Sequence, residues 1–140
     1  MNEPNRPNQK DRLRFSAVAL GVCVNYAIFV ASVAILYFSV GTTFRGFDAA
    51  ALAIGFVCTC LGAYCAGRIG KTRPIQHGLC VAGIIFVISL ARFIDYSLAP
   101  PNDLSAVHPL WFELIGWMLI ITAGYLGGIA AQRALRAHTT

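Results

Sequence analysis

Charge is what this sequence of 140 residues has least of. Only 12% of its residues are charged, and six of them are acidic. Soluble domains carry about 25% charged residues. Hydrophobic residues make up 57% of the chain, and the mean hydropathy is +0.65. A soluble globular surface is therefore not the expectation. Strand-like alternation of apolar and polar residues is also missing, which argues against a membrane β-barrel. Cysteine is present but misses the expected external loops: Cys23, Cys58, Cys60, Cys65 and Cys80 all lie in apolar blocks. That placement argues against a disulfide framework and leaves them as small apolar packing residues. No nucleophile elbow, phosphate loop or His-Glu-x-x-His motif occurs, and no loop carries paired thiols. Catalysis is not expected, and neither is a cofactor. His77 and Cys80 hint at a soft metal site, but two ligands at this spacing are too few, so no metal is expected either.

What is there comes in four long apolar blocks: 15–37, 49–67, 78–98 and 110–131. Each is close to the ~20 residues that a helix needs to cross ~30 Å of hydrocarbon. A backbone in lipid must satisfy its own hydrogen bonds, so each block is read as a helix. The predicted fold class is an all-α membrane protein, a four-helix antiparallel transmembrane bundle. The first block is too long for a signal peptide, lacks a small-residue cleavage site and follows a polar tail, so it is read as a retained span. Residues 1–14 form an expected disordered tail, 15–136 the transmembrane domain and 137–140 a short polar end. Arg68–Gln76 is the expected turn between the second and third spans, with Pro74 stopping helix continuation.

The blocks repeat. Gly21–Ala34 and Gly78–Ala91 agree at eight of fourteen positions. Gly55-Phe56 leads to Gly62-Ala63-Tyr64-Cys65-Ala66-Gly67 with the spacing by which Gly116-Trp117 leads to Ala123-Gly124-Tyr125-Leu126-Gly127-Gly128. One hydrophobic hairpin is thus written twice, and an internal repeat constrains architecture before any single residue does. Two spans per copy return the chain to its starting side, which makes the copies parallel repeats about an axis along the membrane normal.

Basic residues set the expected orientation. Arg6, Lys10, Arg12, Arg14, Arg68, Lys71, Arg73, Arg133 and Arg136 fall on one side of this topology, and Arg45 alone lies in an opposite loop. The positive-inside rule then makes both termini cytoplasmic. The formal net charge of +5 is read as this asymmetry, and nucleic acid is not an expected partner. The lipid bilayer is one, together with either further copies of the chain or a larger membrane protein.

Small residues mark the expected helix contacts. Ala63-x-x-x-Gly67 and Gly124-x-x-x-Gly128 occupy matching places in the two copies, and such stripes let helices approach closely in lipid. Contact within one subunit is the simpler role and a dimerisation face the alternative. Where the copies differ, ionisable groups appear. Arg92, Asp95 and Glu113 stand where the first copy has Ile35, Phe38 and Leu52. Charge within a span costs roughly 2.5–3.5 kcal/mol per residue at the helix centre. Arg92 and Asp95 are three apart and share a helical face. A loop centred near Leu104 would set Asp95 level with Glu113 and Arg92 level with Gly116, with His108 above. The expectation is a partly buried cluster of Arg92, Asp95 and Glu113. It would act as a clasp between the third and fourth spans or, alternatively, as an outward-facing polar site. Asn25 faces Ala82 in the alignment and is expected to join an interhelical hydrogen bond. Ser89 is expected to back-bond to its own helix.

The run Gly62-Ala63-Tyr64-Cys65-Ala66-Gly67-Arg68, followed by a short basic turn and His77-Gly78-Leu79, resembles a motif of uncharacterised small bacterial four-span inner-membrane proteins. The resemblance covers about a sixth of the chain and implies topology and compartment: a multi-pass protein of the bacterial inner membrane. Arg14-Phe15 before an apolar span and the two-hairpin plan are also similar to the small four-span family associated with flipping lipid-linked sugars, whose aromatic-Asn-x-x-x-Arg signature this chain lacks. The functional expectation is a non-enzymatic helical subunit or accessory protein. The alternative is an oligomeric translocator of a small solute or lipid-linked substrate, which would show a polar path from Arg92, Asp95 and Glu113 toward Asn25.

Overall fold

The computed structural model describes residues 13–40, 46–98 and 110–138. They form four helices: α1 (Phe15–Val40), α2 (Phe47–Gly70), α3 (Pro74–Leu98) and α4 (Leu110–Ala137). All four are long and apolar enough to cross a membrane, so the chain is a multi-pass membrane protein built as a helical bundle. Helices α2 and α4 pack on each other, α1 packs on α2, α3 packs on α4, and α2 also meets α3. The expected tail 1–14 lies mostly outside the described residues, as does the stretch 99–109 that contains His108.

The turn between α2 and α3 is shorter than the sequence suggests. Helix α2 runs through Arg68 to Gly70, and only Lys71, Thr72 and Arg73 separate it from α3. Pro74 does not stop a helix here but starts one. A proline at the first helical position loses no bond, because that N–H has no intrahelical partner, and its fixed φ suits the helix. Reversing the chain in three residues puts Lys71 (φ 58°) and Arg73 (φ 50°) in the left-handed region, which non-glycine residues rarely occupy. Hydrogen bonds from Lys71 N to Gly67 O (3.3 Å) and from Thr72 N to Gly70 O (2.6 Å) hold the reversal.

Lipid offers little hydrophobic drive for helices to associate, so close van der Waals approach must replace it. Glycine permits that approach. A Cβ at Gly62 would lie 2.5 Å from the carbonyl oxygen of Gly21, and one at Gly21 would lie 2.6 Å from that of Gly62. In the second hairpin, a Cβ at Gly78 would lie 2.5 Å from the Gly124 oxygen, and one at Gly124 would press on Ala82 Cβ. Ala63, Gly67, Gly124 and Gly128 are all buried within the chain. A Cβ at Gly67 would meet Ala131 Cβ at 2.7 Å, and one at Gly128 would meet Ile75 Cα at 2.7 Å. The small-residue stripes are thus occupied by intramolecular contacts. Val18, Ala66, Val81 and Ile85 fill the core beside them.

His77 closes the same end of the bundle. It is 0% exposed and sits against Gly70, where a Cβ would come within 2.7 Å of the ring. Its Nε2 accepts the backbone N–H of Arg14 at 3.1 Å, and its Nδ1 lies 3.1 Å from the Arg73 carbonyl oxygen. A backbone amide can only donate and a carbonyl can only accept, so the tautomer is fixed with the proton on Nδ1. One neutral imidazole ties the start of α1 to the start of α3, and both nitrogens are used. Among the described residues no three His, Cys, Asp or Glu side chains converge as a metal site would need, and all five cysteines are free.

A polar cavity between the four helices

The half of the bundle away from His77 is not closed. A cavity of about 360 Å³ opens there, lined by all four helices. On α2 its wall runs from Ala51 to Thr59, about 12 Å at 1.5 Å per residue. Tyr26, Phe29, Phe56 and Phe93 give it aromatic walls, and Gly55 and Gly116 leave it room. A Cβ at Gly116 would meet only Leu52 Cδ2 at 3.3 Å, and one at Gly55 only Phe29 Cε2 at 3.6 Å. Besides the Tyr26 phenol, five polar side chains share the lining: Asn25, Thr59, Ser89, Arg92 and Glu113.

The deep pair comes from the first hairpin. Asn25 is 4% exposed and Thr59 1%. Thr59 donates its one hydroxyl proton to the Gly55 carbonyl oxygen at 2.8 Å, the bond back to its own helix that a span threonine commonly makes. Its oxygen can then only accept, and it accepts from Asn25 Nδ2 at 3.1 Å. That fixes the Asn25 amide orientation. The carbonyl oxygen of Asn25 makes no hydrogen bond among the described residues, and Asn25 lines the cavity wall.

Ser89 belongs to the second hairpin, and its bond differs from the expected one. It accepts from Trp117 Nε1 at 3.2 Å across the α3–α4 contact. Indole is only a donor, so the Ser89 hydroxyl keeps its own proton to give. Trp117 is held in place by edge-to-face contacts with Phe86 and Phe93, with ring centroids 5.6 and 5.7 Å apart. The sequence offered no sign of this bond, because Ser32 and Ser89 are identical in the two copies.

Arg92 and Glu113 lie at the end of the cavity farther from Asn25 along their helices. Glu113 is half-buried in the first turn of α4, where the helix dipole favours negative charge. Its carboxylate makes no hydrogen bond or ion pair among the described residues. Arg92 is largely exposed but touches the lining. Asp95, one turn further along α3, is exposed and outside the lining, and it makes no ion pair among the described residues. The structure therefore joins Arg92, Glu113 and Asn25 at one cavity and leaves Asp95 beside it, while His108 lies outside the described residues.

Thr59 is the lining residue that sequence reasoning missed. The repeat carried the missing signal: with Gly55 aligned to Gly116, Thr59 faces Ile120, a polar-for-apolar exchange of the same kind as Asn25 for Ala82. No protein-family model, curated protein or solved structure matches the chain. The chemistry of the cavity is therefore read from its own residues.

Proposed function

We propose that this multi-pass membrane protein binds a small polar-headed molecule in the interhelical cavity, without catalysing a reaction, as a receptor-like subunit or translocator of a small solute or lipid-linked substrate. One observation carries the reading. Asn25 and Thr59 in the first hairpin, and Arg92 and Glu113 in the second, replace apolar residues of the other copy, and all four line the same cavity. Ionisable groups within a span are costly and mark functional sites by default, and here two of them share a cavity with two buried polar groups. Four that arise from different helices and meet at one space are better explained by a ligand than by four separate packing needs.

The architecture behind this reading is a tandem pair of antiparallel hairpins in a bacterial inner membrane, with both termini cytoplasmic. Each helix pair closes on a glycine–glycine approach, Gly21 with Gly62 and Gly78 with Gly124; the shared manner of closure supports the repeat, although the alignment matches Gly62 to Ala123, one residue from Gly124. Contacts Gly21–Gly62, Asn25–Thr59 and Phe29–Gly55 advance along α1 while they retreat along α2, which supports antiparallel pairing. The basic residues near the His77 end support a cytoplasmic face there. The cavity lies in the other half and opens toward the outer leaflet.

The accessory-subunit role, the first expectation from the sequence, becomes the second reading. Helix α1 is the most lightly covered, with Phe15, Val30, Ile35 and Phe38 exposed to the surroundings. Those side chains can meet lipid or another membrane protein. Native mass spectrometry after gentle extraction from the original host separates the two. A small molecule that stays with the wild type and is lost when Gly116→Leu fills the cavity supports the proposal. A stable foreign protein partner, with no small molecule that depends on the cavity, overturns it in favour of the accessory role. Reporter fusions that place either terminus outside the cytoplasm would sink the topology.

A further inference from the structure

We infer that the cavity recognises a primary ammonium group carried next to oxygen, as in ethanolamine or an ethanolamine lipid headgroup. This inference rests on the cavity being a binding site. It follows from counting what the lining leaves unused. Two acceptors have no donor among the described residues: the carbonyl oxygen of Asn25, on a side chain 4% exposed, and the carboxylate of Glu113. Both residues line the cavity, so an occupant that brings N–H donors and a positive charge would complement the amide oxygen and the half-buried carboxylate. An ammonium group brings three N–H donors and that charge.

The rest of the lining narrows the class. Tyr26, Phe29, Phe56 and Phe93 line the same space, and aromatic rings attract cations to their faces. Ser89 has a hydroxyl proton to give, because its oxygen already serves Trp117. An oxygen close to the ammonium group would accept it. Arg92 also lines the cavity, but it already takes part in another interaction, and the occupant is read without it. A simple hydrocarbon tail would leave both acceptors unmet. A purely anionic headgroup would set its charge against Glu113. The cavity volume, about 360 Å³, is within the range of small-molecule sites.

The test uses the full chain purified in detergent, with ethanolamine, glycerol and glycerol phosphate as soluble probes. Native mass spectrometry after exchange from phosphatidylethanolamine or phosphatidylglycerol vesicles probes lipid. Ethanolamine at about ten times its Kd should raise Tm by roughly 5 °C, with neither glycerol probe doing so. The shift should persist in Glu113→Asp and vanish in Glu113→Gln; that outcome supports a free amine as the ligand. Retention of phosphatidylethanolamine about tenfold over phosphatidylglycerol, lost in Glu113→Gln, corresponds to ~1.4 kcal/mol and supports the lipid headgroup. Equal effects of amine and glycerol together with equal retention of the two lipids overturn the ammonium inference, as does a Glu113→Gln protein that behaves like wild type in both arms. In either case Gly116→Leu tells which claim has failed. If filling the cavity abolishes a glycerol, glycerol phosphate or lipid effect, the cavity is still a binding site, with a different occupant. If filling it changes nothing, the binding site falls as well.

Discussion

The two hairpins close in the same way and open differently. In the first, α1 and α2 meet where Gly21 and Gly62 face each other's carbonyl oxygens; in the second, α3 and α4 meet at Gly78 and Gly124. Next to each contact stands the same position of the repeat, Asn25 in one copy and Ala82 in the other, each with its Cβ against the partner glycine. Beyond that point the copies part. The first hairpin places an amide and a hydroxyl deep and pairs them with each other. The second places a guanidinium and a carboxylate about two to three turns farther out. On the proposed duplication, the scaffold keeps its glycine contacts for assembly while each half contributes different polar groups to a space that neither helix pair encloses alone. Deep neutral groups and outer charged groups are also the distribution that membrane energetics favours, because charge near a helix end can reach water by snorkelling.

The strongest way to break this comparison is to alter its shared part. Gly62→Val and Gly124→Val should each cost about 3 kcal/mol or more, because the added atoms meet backbone or a buried Cβ that cannot move aside. Reversible unfolding in mixed micelles would measure it. Gly83→Ala is the matched control, with nothing within 4 Å of the new Cβ, and it should not destabilise. Loss in only one hairpin would show that the two closures are not equivalent.

Much of this was legible in the sequence, and the limits have physical causes. Four spans follow from length and hydropathy, which fix helices in lipid almost regardless of side-chain detail. Asn25 could be flagged because a lone amide in a span needs a partner. Its partner, Thr59, could not be named, since threonine is ordinary in a span and the choice depends on how α1 and α2 rotate about the Gly21–Gly62 contact. The same rotation decides whether Arg92 or Asp95 reaches the cavity. They share a broad face by sequence, yet only Arg92 contributes to the lining. The three-residue turn at Lys71–Arg73 was hidden because left-handed Lys and Arg are uncommon, and the sequence places no glycine between Gly70 and Pro74 to announce it.

The deep pair offers a sharper test than the closures. Asn25→Ala removes the donor to Thr59, and Thr59→Val removes the acceptor. Interhelical side-chain bonds in membranes average about 0.6 kcal/mol and reach about 1.7. Each single change should therefore cost about 1 kcal/mol, and a double-mutant cycle should return a coupling of about 0.6 kcal/mol. The second hairpin has a comparable bond. Ser89→Ala leaves the Trp117 N–H without its acceptor and should cost about 1 kcal/mol. It should also shift the fluorescence of Trp117, whereas Trp111 is exposed and should be unaffected. A coupling near zero for Asn25 and Thr59 would mean that the amide serves only the cavity.

The smallest effect is expected at the charged end, and it decides between clasp and binding site. A clasp that pins α3 to α4 would lose stability when either Arg92 or Glu113 is neutralised, and the two losses would be coupled. The carboxylate of Glu113 has no protein partner among the described residues, so its charge contributes little to holding the helices together. Glu113→Gln should thus change stability by no more than about 0.5 kcal/mol, and its cycle with Arg92→Ala should give a coupling within about 0.3–0.5 kcal/mol of zero. Unfolding in ligand-free detergent is the measurement that matters, because a bound molecule would add its own free energy to the wild type alone. A coupling of 1 kcal/mol or more would restore the clasp. Near-zero coupling would leave the Glu113 charge with no structural duty to explain its cost in the membrane.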